Sequence, residues 1–165
     1  MSTILDEIIH FKKAELLVSK AQTPLAKIEK QALAMESRPS FYKALENPDF
    51  KSIKLIAEVK KASPSKGIID PNFNPLKTAE IYASGGAHCM SVLTEKKYFQ
   101  GSPEYLKEIK TTFPQIPLLR KDFIVEEYQI LEAKAWGASA ILLIVDCLDL
   151  KSLTRLREFA ESLNL

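Results

Sequence analysis

The sequence predicts an α/β fold built around a parallel β-sheet. From Ser52 onward, apolar runs rich in β-branched residues alternate with polar loops and amphipathic stretches, and this order repeats four times. A strand, a crossover helix and a second strand produce parallel pairing, and parallel strands are buried on both faces, as runs such as LLIV indicate. Two architectures fit this order: an open doubly wound sheet and an arc of an eight-unit β/α barrel. Both place ligands at the C-terminal ends of the strands.

Residues 1–50 are predicted to form a helical extension that precedes the sheet. Apolar residues at helical spacing predict a helix from Thr3 to Ser19, and TPLAKIEKQALA predicts a second helix with Thr23 as N-cap and Pro24 in the first position. Ser40 is expected to cap a third, short turn. The chain is therefore divided into a helical extension, 1–50, and four βα units, 51–165.

Four strands and four helices are predicted in the second region. The strands are SIKLIAEVK (52–60), HCMSVLT (88–94), IPLLRKD (116–122) and SAILLIVDC (139–147). We expect these strands to pair in sequence order, with no antiparallel pairing between residues 52 and 147. Proline and capping residues predict the helices at Pro75 to about Ser84, Pro103 to about Thr112, about Glu126 to Trp136, and from about Asp149 onward.

The composition excludes several classes of protein. With 46% apolar and 27% charged residues, the chain has the ordinary mixture of a globular protein and not that of a disordered one. Its 23 basic and 21 acidic residues give a net charge of +2, so neither nucleic acid nor a membrane surface is expected as a partner. No apolar run approaches the roughly 18–20 residues of a transmembrane helix, and the N-terminus lacks a signal-peptide pattern. We expect a cytoplasmic protein.

Motifs for metals and organic cofactors are not found in the sequence. Two cysteines and two histidines without a CxxC pair do not supply the ligands of a zinc, haem or dithiol site. The five glycines form neither GxGxxG nor GxxxxGK[ST], and a GxSxG nucleophile motif is missing as well. We therefore expect no zinc, haem or dithiol site, no dinucleotide-binding motif and no P-loop.

A carboxylate and an amine are predicted to share one face at the end of the first strand. In IAEVKKASPSKG, the two-residue period of a strand turns Glu58 and Lys60 to the face opposite Val59. Two charges at normally apolar positions are costly unless they pair or meet a charged ligand. A simple ion pair, a solvated strand end and a functional site are all consistent with this pattern.

The third strand repeats the anomaly in the segment PLLRKDF. Lys121 is predicted to enter the same face, where a second lysine favours proton donation or anion binding. Alternation then turns Arg120 and Asp122 outward, where we expect structural contacts. The loop TEKKYFQGS, after the second strand, brings Tyr98 and Phe99 to the same mouth. These aromatic residues form either a lid over an apolar ring of a substrate or ordinary loop packing.

Four segments together resemble a known family. IAEVKKASPSKGII, SVLTEKKYFQGS, LLRKDFIVEEYQI and ASAILLIV are similar to indole-3-glycerol phosphate synthase, and the resemblance covers essentially the whole chain. It implies a TIM-type β/α barrel, of which this chain holds a partial, half barrel with parallel strands in the order 1-2-3-4. It also implies a carbon-carbon lyase of tryptophan biosynthesis. That enzyme converts 1-(2-carboxyphenylamino)-1-deoxyribulose 5-phosphate to indole-3-glycerol phosphate, carbon dioxide and water, without a metal or organic cofactor.

The resemblance also assigns roles to individual residues. Lys121 matches the general acid that protonates the ribulose carbonyl during ring closure. Lys60 matches a residue that holds the anionic groups of the substrate and assists the later dehydration, and Glu58 matches the carboxylate that pairs with the lysines. Ser63 is expected near the substrate phosphate. The apolar slot for the anthranilate ring is expected to contain Phe99, Phe123 and Leu142.

The implied barrel has parts that these four units do not supply. A complete barrel takes about 250 residues, and in the family strands five to seven carry further catalytic side chains. We therefore expect the 165-residue chain by itself to lack activity and to self-associate through exposed strand edges, or to be poorly stable. A non-catalytic half barrel that binds an anion or acts as an assembly module is the second hypothesis.

Overall fold

Three helices precede the sheet. A computed structural model describes residues 3–36, 38–47 and 52–165 and contains α1 (Ile4–Gln22), α2 (Leu25–Leu33) and α3 (Phe41–Leu45). Thr3 caps α1, since its hydroxyl accepts from the N–H of Asp6 and the Asp6 carboxylate accepts from the N–H of Thr3. Ser40 caps α3 as expected. The described part of the extension thus contains three helices.

The prediction that Thr23 caps the second helix is wrong. Helix α1 continues three residues beyond the expected end, and the N–H of Thr23 donates to the carbonyl of Ser19 at 2.8 Å. The N-cap of α2 is instead Pro24, whose ψ of 151° keeps it out of the helical conformation. Thr23 therefore belongs to the end of one helix and not to the start of the next.

A four-stranded parallel sheet forms the centre of the second region. Its strands are β1 (Ile56–Val59), β4 (Cys89–Leu93), β5 (Leu118–Lys121) and β6 (Ala140–Ile141). Their spatial order is β1-β4-β5-β6, with every neighbouring pair parallel. The predicted pairing of the four strands in sequence order is confirmed, and no switch point interrupts it.

Four helices, one after each strand of this sheet, lie at the predicted places. They are α4 (Pro75–Ser84), α5 (Pro103–Thr112), α6 (Glu127–Trp136) and α7 (Leu150–Ser162). Asn74, Ser102 and Asp149 cap three of them with side-chain oxygens that accept first-turn N–H groups. Gly137 ends α6 with φ of 108°, a left-handed conformation that favours glycine.

Two expectations about strands are wrong in detail. The predicted strand 139–147 pairs with β5 only at Ala140 and Ile141, opposite Leu119 and Arg120, and Val145–Cys147 form a 3₁₀ helix. Residues 52–147 also contain one antiparallel pair, β2 (Ala62–Ser63) with β3 (Gly67–Ile68), in a separate small hairpin after β1. Gly67, at φ of 63°, permits the tight turn that brings these short segments together.

Apolar packing fixes the helices to one face of the sheet. The central cluster includes Val59, Met90, Val92 and Leu118 from the strands and Leu106, Ile109 and Ala133 from the helices. A second cluster joins the extension to α6 through Leu16, Ile28, Ala32, Tyr128 and Leu131. The Tyr128 hydroxyl donates to the carbonyls of Ser19 and Thr23 at the junction of α1 and α2. The extension is therefore part of the layer that covers the outer face of the sheet.

Candidate active site

Three charged side chains meet at the C-terminal edge of the sheet on its other face. Glu58 lies in β1, Lys60 follows that strand, and Lys121 ends β5. One carboxylate oxygen of Glu58 lies 2.5 Å from Nζ of Lys60, and the other lies 3.2 Å from Nζ of Lys121. Each of the three side chains is between 30% and 36% exposed, so the cluster is accessible to a ligand.

The cluster contains two ammonium groups and one carboxylate and therefore has a net positive charge. Burial by itself would raise the pKa of Glu58, but hydrogen bonds from Lys60 and Lys121 and their charges outweigh burial and lower that pKa. Glu58 therefore stays ionised and satisfies part of the charge of both lysines. The net positive charge that is left is suited to an anionic group, and an ammonium beside it is suited to proton donation.

A cavity of about 280 Å³ adjoins the cluster. Its apolar wall includes Phe99 and Phe123, whose ring centroids are 6.1 Å apart with planes at 42°. The cavity is lined by Glu58, Lys60, Leu93, Phe99, Lys121, Asp122, Phe123, Leu142 and Ile144. Six of the seven residues selected from the sequence thus line one cavity. Leu93, Asp122 and Ile144 were not selected, although Leu93 ends a strand and that position was an available signal.

Ser63 does not line this cavity. It lies in the hairpin after β1, and its hydroxyl accepts from the N–H of Lys66 at 3.3 Å. The Ser63 side chain is partly exposed. Its expected place near a phosphate stays a prediction.

The opposite face of β5 holds a second charged cluster, which is buried. Arg120 and Asp122 pair at 3.1 Å, and Arg120 also pairs with Glu132 of α6 at 3.1 Å. Lys12 of α1 reaches Asp122 at 3.0 Å and Glu15 at 2.6 Å. The side chains of Lys12, Arg120 and Asp122 are at most 4% exposed. Arg120 and Asp122 make the structural contacts predicted from strand alternation.

The charges of this buried cluster stabilise one another. Burial by itself would raise the pKa of Asp122, but the charges of Arg120 and Lys12 and a hydrogen bond from Thr94 lower it. Burial would lower the pKa of Lys12, but the charges of Asp122 and Glu15 more than compensate and raise it. For Glu132, burial dominates and raises the pKa. Lys12 was missed in the sequence, although it lies at helical spacing between the buried Ile8 and Leu16.

A larger cavity of about 1040 Å³ opens near the N-terminal end of β6. It is lined partly by Phe41, Tyr42 and Leu45 of α3 and by Ser139 and Ala140. No acid and base are paired in its wall among the residues that the structure describes. We therefore assign the candidate active site to the smaller cavity, where the paired charges and the aromatic wall adjoin.

Neither a metal-binding cluster nor a membrane-spanning helix is present in the described residues. Residues 3–36, 38–47 and 52–165 contain no group of three or more metal-ligating side chains. None of the helices within these ranges is both long enough and apolar enough to cross a membrane.

Comparisons with known proteins identify one family. The family model for indole-3-glycerol phosphate synthase matches residues 5–165. Curated proteins of that name from Aliarcobacter butzleri and Neisseria meningitidis are 49% and 44% identical to the chain over 98% and 100% of its length. A protein of the same name from Neisseria gonorrhoeae is also 44% identical. The chain spans 62–64% of the length of these relatives.

Proposed function

The chain belongs to the indole-3-glycerol phosphate synthase family, and on that premise we propose that its cavity takes part in the decarboxylative ring closure that forms indole-3-glycerol phosphate. The substrate is 1-(2-carboxyphenylamino)-1-deoxyribulose 5-phosphate, and the products are indole-3-glycerol phosphate, carbon dioxide and water. The observation that carries this proposal is the contact of Glu58 with both Lys60 and Lys121 beside the Phe99–Phe123 wall.

Lys121 acts as the general acid of the first step. The ring carbon that bears the carboxylate attacks the ribulose carbonyl carbon while the ammonium of Lys121 donates a proton to the carbonyl oxygen. Loss of carbon dioxide then restores the aromatic ring. A proton donor in a half-buried cavity stabilises the developing negative charge more strongly than bulk water does.

Lys60 and Glu58 support this chemistry in different ways. Lys60 binds an anionic group of the substrate and assists the departure of the hydroxyl group as water in the second step. Glu58, which is ionised and lies between the two lysines, orients their ammonium groups. Phe99, Phe123 and Leu142 hold the anthranilate ring, and Ser63 lies near the phosphate when substrate is bound.

The reaction is tested in a chimera that completes the barrel. Residues 1–165 are joined to the region of the Aliarcobacter butzleri relative that the match leaves uncovered, and indole fluorescence is followed after substrate is added. Turnover that requires Lys121 supports the proposal. A folded chimera without turnover, made beside an active full-length relative, would contradict it.

A non-catalytic half barrel is the alternative, and the sheet edges favour it for the 165-residue chain alone. Within the described sheet, β1 pairs only with β4, and β6 pairs only with β5. Ile53, Leu55 and Ile56 lie at or just before the β1 edge and are 92%, 49% and 45% exposed. We propose that the chain alone associates through these edges. Sedimentation at micromolar concentration tests this, and a stable monomer with synthase turnover would exclude it.

The expected partner of the protein is a small molecule, and its expected location is the cytoplasm. The net charge of +2 provides no basis for binding nucleic acid, so the expected partner is the phosphorylated small molecule. We propose that the protein works in the cytoplasm, where its substrate is expected. The test is to fractionate cells that express a fluorescently tagged chain and to compare the fluorescence of the cytoplasmic fraction with that of the other fractions.

A further inference from the structure

Glu95 is a fully buried carboxylate at the start of the loop that follows β4. One of its oxygens accepts from the N–H of Lys97 at 3.0 Å. The other oxygen accepts from the N–H groups of Tyr98 and Phe99 at 2.7 and 2.9 Å. No ion pair of Glu95 is found within the described part of the chain. Three successive backbone N–H groups therefore surround the charge of this side chain, as in an anion-binding nest.

The ends of the same loop are also held together. The N–H of Gly101 donates to the carbonyl of Glu95 at 2.7 Å, and the N–H of Ser102 donates to the carbonyl of Leu93 at 3.2 Å. A Cβ atom at Gly101 would lie 2.4 Å from the Leu93 carbonyl oxygen, so this approach requires glycine. The loop is thus closed at its base and anchored from inside by one carboxylate.

The anchored loop carries Phe99 to the candidate active site. Phe99 is the last of the three residues bound by Glu95, and its ring forms the cavity wall with Phe123. Glu95 itself does not line that cavity. On the other side of the loop, Tyr98 contacts Phe11 of α1 at 6.4 Å between ring centroids. The loop therefore has little freedom to move while its carboxylate anchor is in place.

We infer that Glu95 is a positioning residue that fixes Phe99 in the apolar slot for the anthranilate ring. This inference rests on the proposed function for the identity of the bound ring. The chemical requirement is for a carboxylate, because two acceptor oxygens are needed for three N–H donors. A glutamine offers one acceptor oxygen and turns an NH₂ donor toward the remaining N–H groups. In a fully buried site this leaves donors without acceptors, and the loop opens to satisfy them.

Hydrogen exchange on the 165-residue chain tests the anchor without any assay of activity. In the unaltered chain, the amide hydrogens of Lys97, Tyr98 and Phe99 are expected to exchange about 100-fold more slowly than those of an open loop. Glu95→Gln is expected to remove this protection. Glu104→Gln, which changes a carboxylate that is 64% exposed in the following helix, is the matched control. Unprotected amides in the unaltered chain would overturn the inference even if Glu95→Gln failed to fold.

The KM and kcat of the chimera that completes the barrel test whether Glu95 affects substrate binding through Phe99. Glu95→Gln is expected to raise KM about tenfold and to change kcat much less, since Lys121 is untouched. The same substitution in a Phe99→Ala background is expected to raise KM little further, because the ring that Glu95 positions is already missing. An equal rise in both backgrounds would overturn the inference. If the chimera is inactive while the exchange results hold, the proposed function fails and the anchoring of Phe99 stands.

Discussion

The two faces of β5 carry charged clusters of similar composition and opposite character. On the inner face, Lys121 lies with Glu58 and Lys60, each about a third exposed, and one carboxylate serves two cations. On the outer face, Arg120 and Asp122 are almost fully buried. There, Asp122 has two cationic partners and a hydroxyl donor, and Arg120 has two carboxylates and the carbonyl of Gln129.

This difference distinguishes an accessible charged cluster from a buried one that joins α1, β5 and α6. In the outer cluster, Lys12, Arg120 and Asp122 are almost fully buried and paired with opposite charges, so that breaking a pair leaves an unpaired buried charge. The inner cluster is about a third exposed and carries excess positive charge, so solvent and an anionic group can reach its ammonium groups. Residue type alone does not distinguish the two, because adjacent residues of one strand, Arg120 and Lys121, belong to different clusters.

Asp122→Asn is expected to produce a large loss of stability. The amide would replace a charge that pairs with Lys12 and Arg120 and would turn a donor toward other donors. The expected cost is about 3–5 kcal/mol in the free energy of unfolding. Urea unfolding followed by circular dichroism measures it, with Asp146→Asn, at an exposed position, as the control. Equal stability of the two variants would show that the outer cluster does not hold the fold.

Lys121→Ala is expected to have the largest effect on activity. Loss of a general acid lowers kcat by about 100-fold or more. Stability should stay nearly unchanged or improve, since a cation at a normally apolar position is removed. The measurement is the initial rate of indole formation by the completed chimera, together with its melting temperature. Near-normal turnover would mean that Lys121 is not the proton donor.

The sequence predicts the parts of this division that depend on neighbouring residues, and it does not predict those that depend on residues far apart in the chain. Strand alternation turned Glu58 and Lys121 inward and Asp122 outward, because a period of two is a property of the backbone. The buried pairing of Lys12 with Asp122 joins residues far apart in sequence, and no local pattern contains it. The same holds for Glu95, whose carboxylate binds backbone groups that every sequence possesses.

The predicted length of the last strand was wrong for a related reason. An apolar run such as SAILLIVDC is compatible with nine strand residues, yet strand length depends on pairing with a strand that is distant in sequence. Pairing with β5 ends at Ile141, opposite Arg120, and Val145 begins a 3₁₀ helix. Helix ends were more predictable, since capping by residues such as Asn74 is decided within four residues.

Acid is expected to weaken the outer cluster as the Asp122 carboxylate takes up a proton. The pKa of Asp122 is lowered in the folded chain, so its contribution to stability is present above its unfolded value of about 3.9. That contribution is lost as the pH falls from this value through the folded pKa. Chemical unfolding between pH 7 and pH 2 should therefore show a decline that is shallower in Asp122→Asn. The same decline in both chains would assign it to other carboxylates.

A matched pair of substitutions on adjacent residues compares the two faces in one experiment. Arg120→Met and Lys121→Met each replace a cation of β5 by an apolar side chain of similar length, and both are measured by urea unfolding of the 165-residue chain. Arg120→Met should lose several kcal/mol, about 3–5, because it leaves Asp122 and Glu132 without their shared partner. Lys121→Met should be as stable as the unaltered chain or more so. Equal losses in the two variants would contradict the division of β5 into a structural face and a functional face.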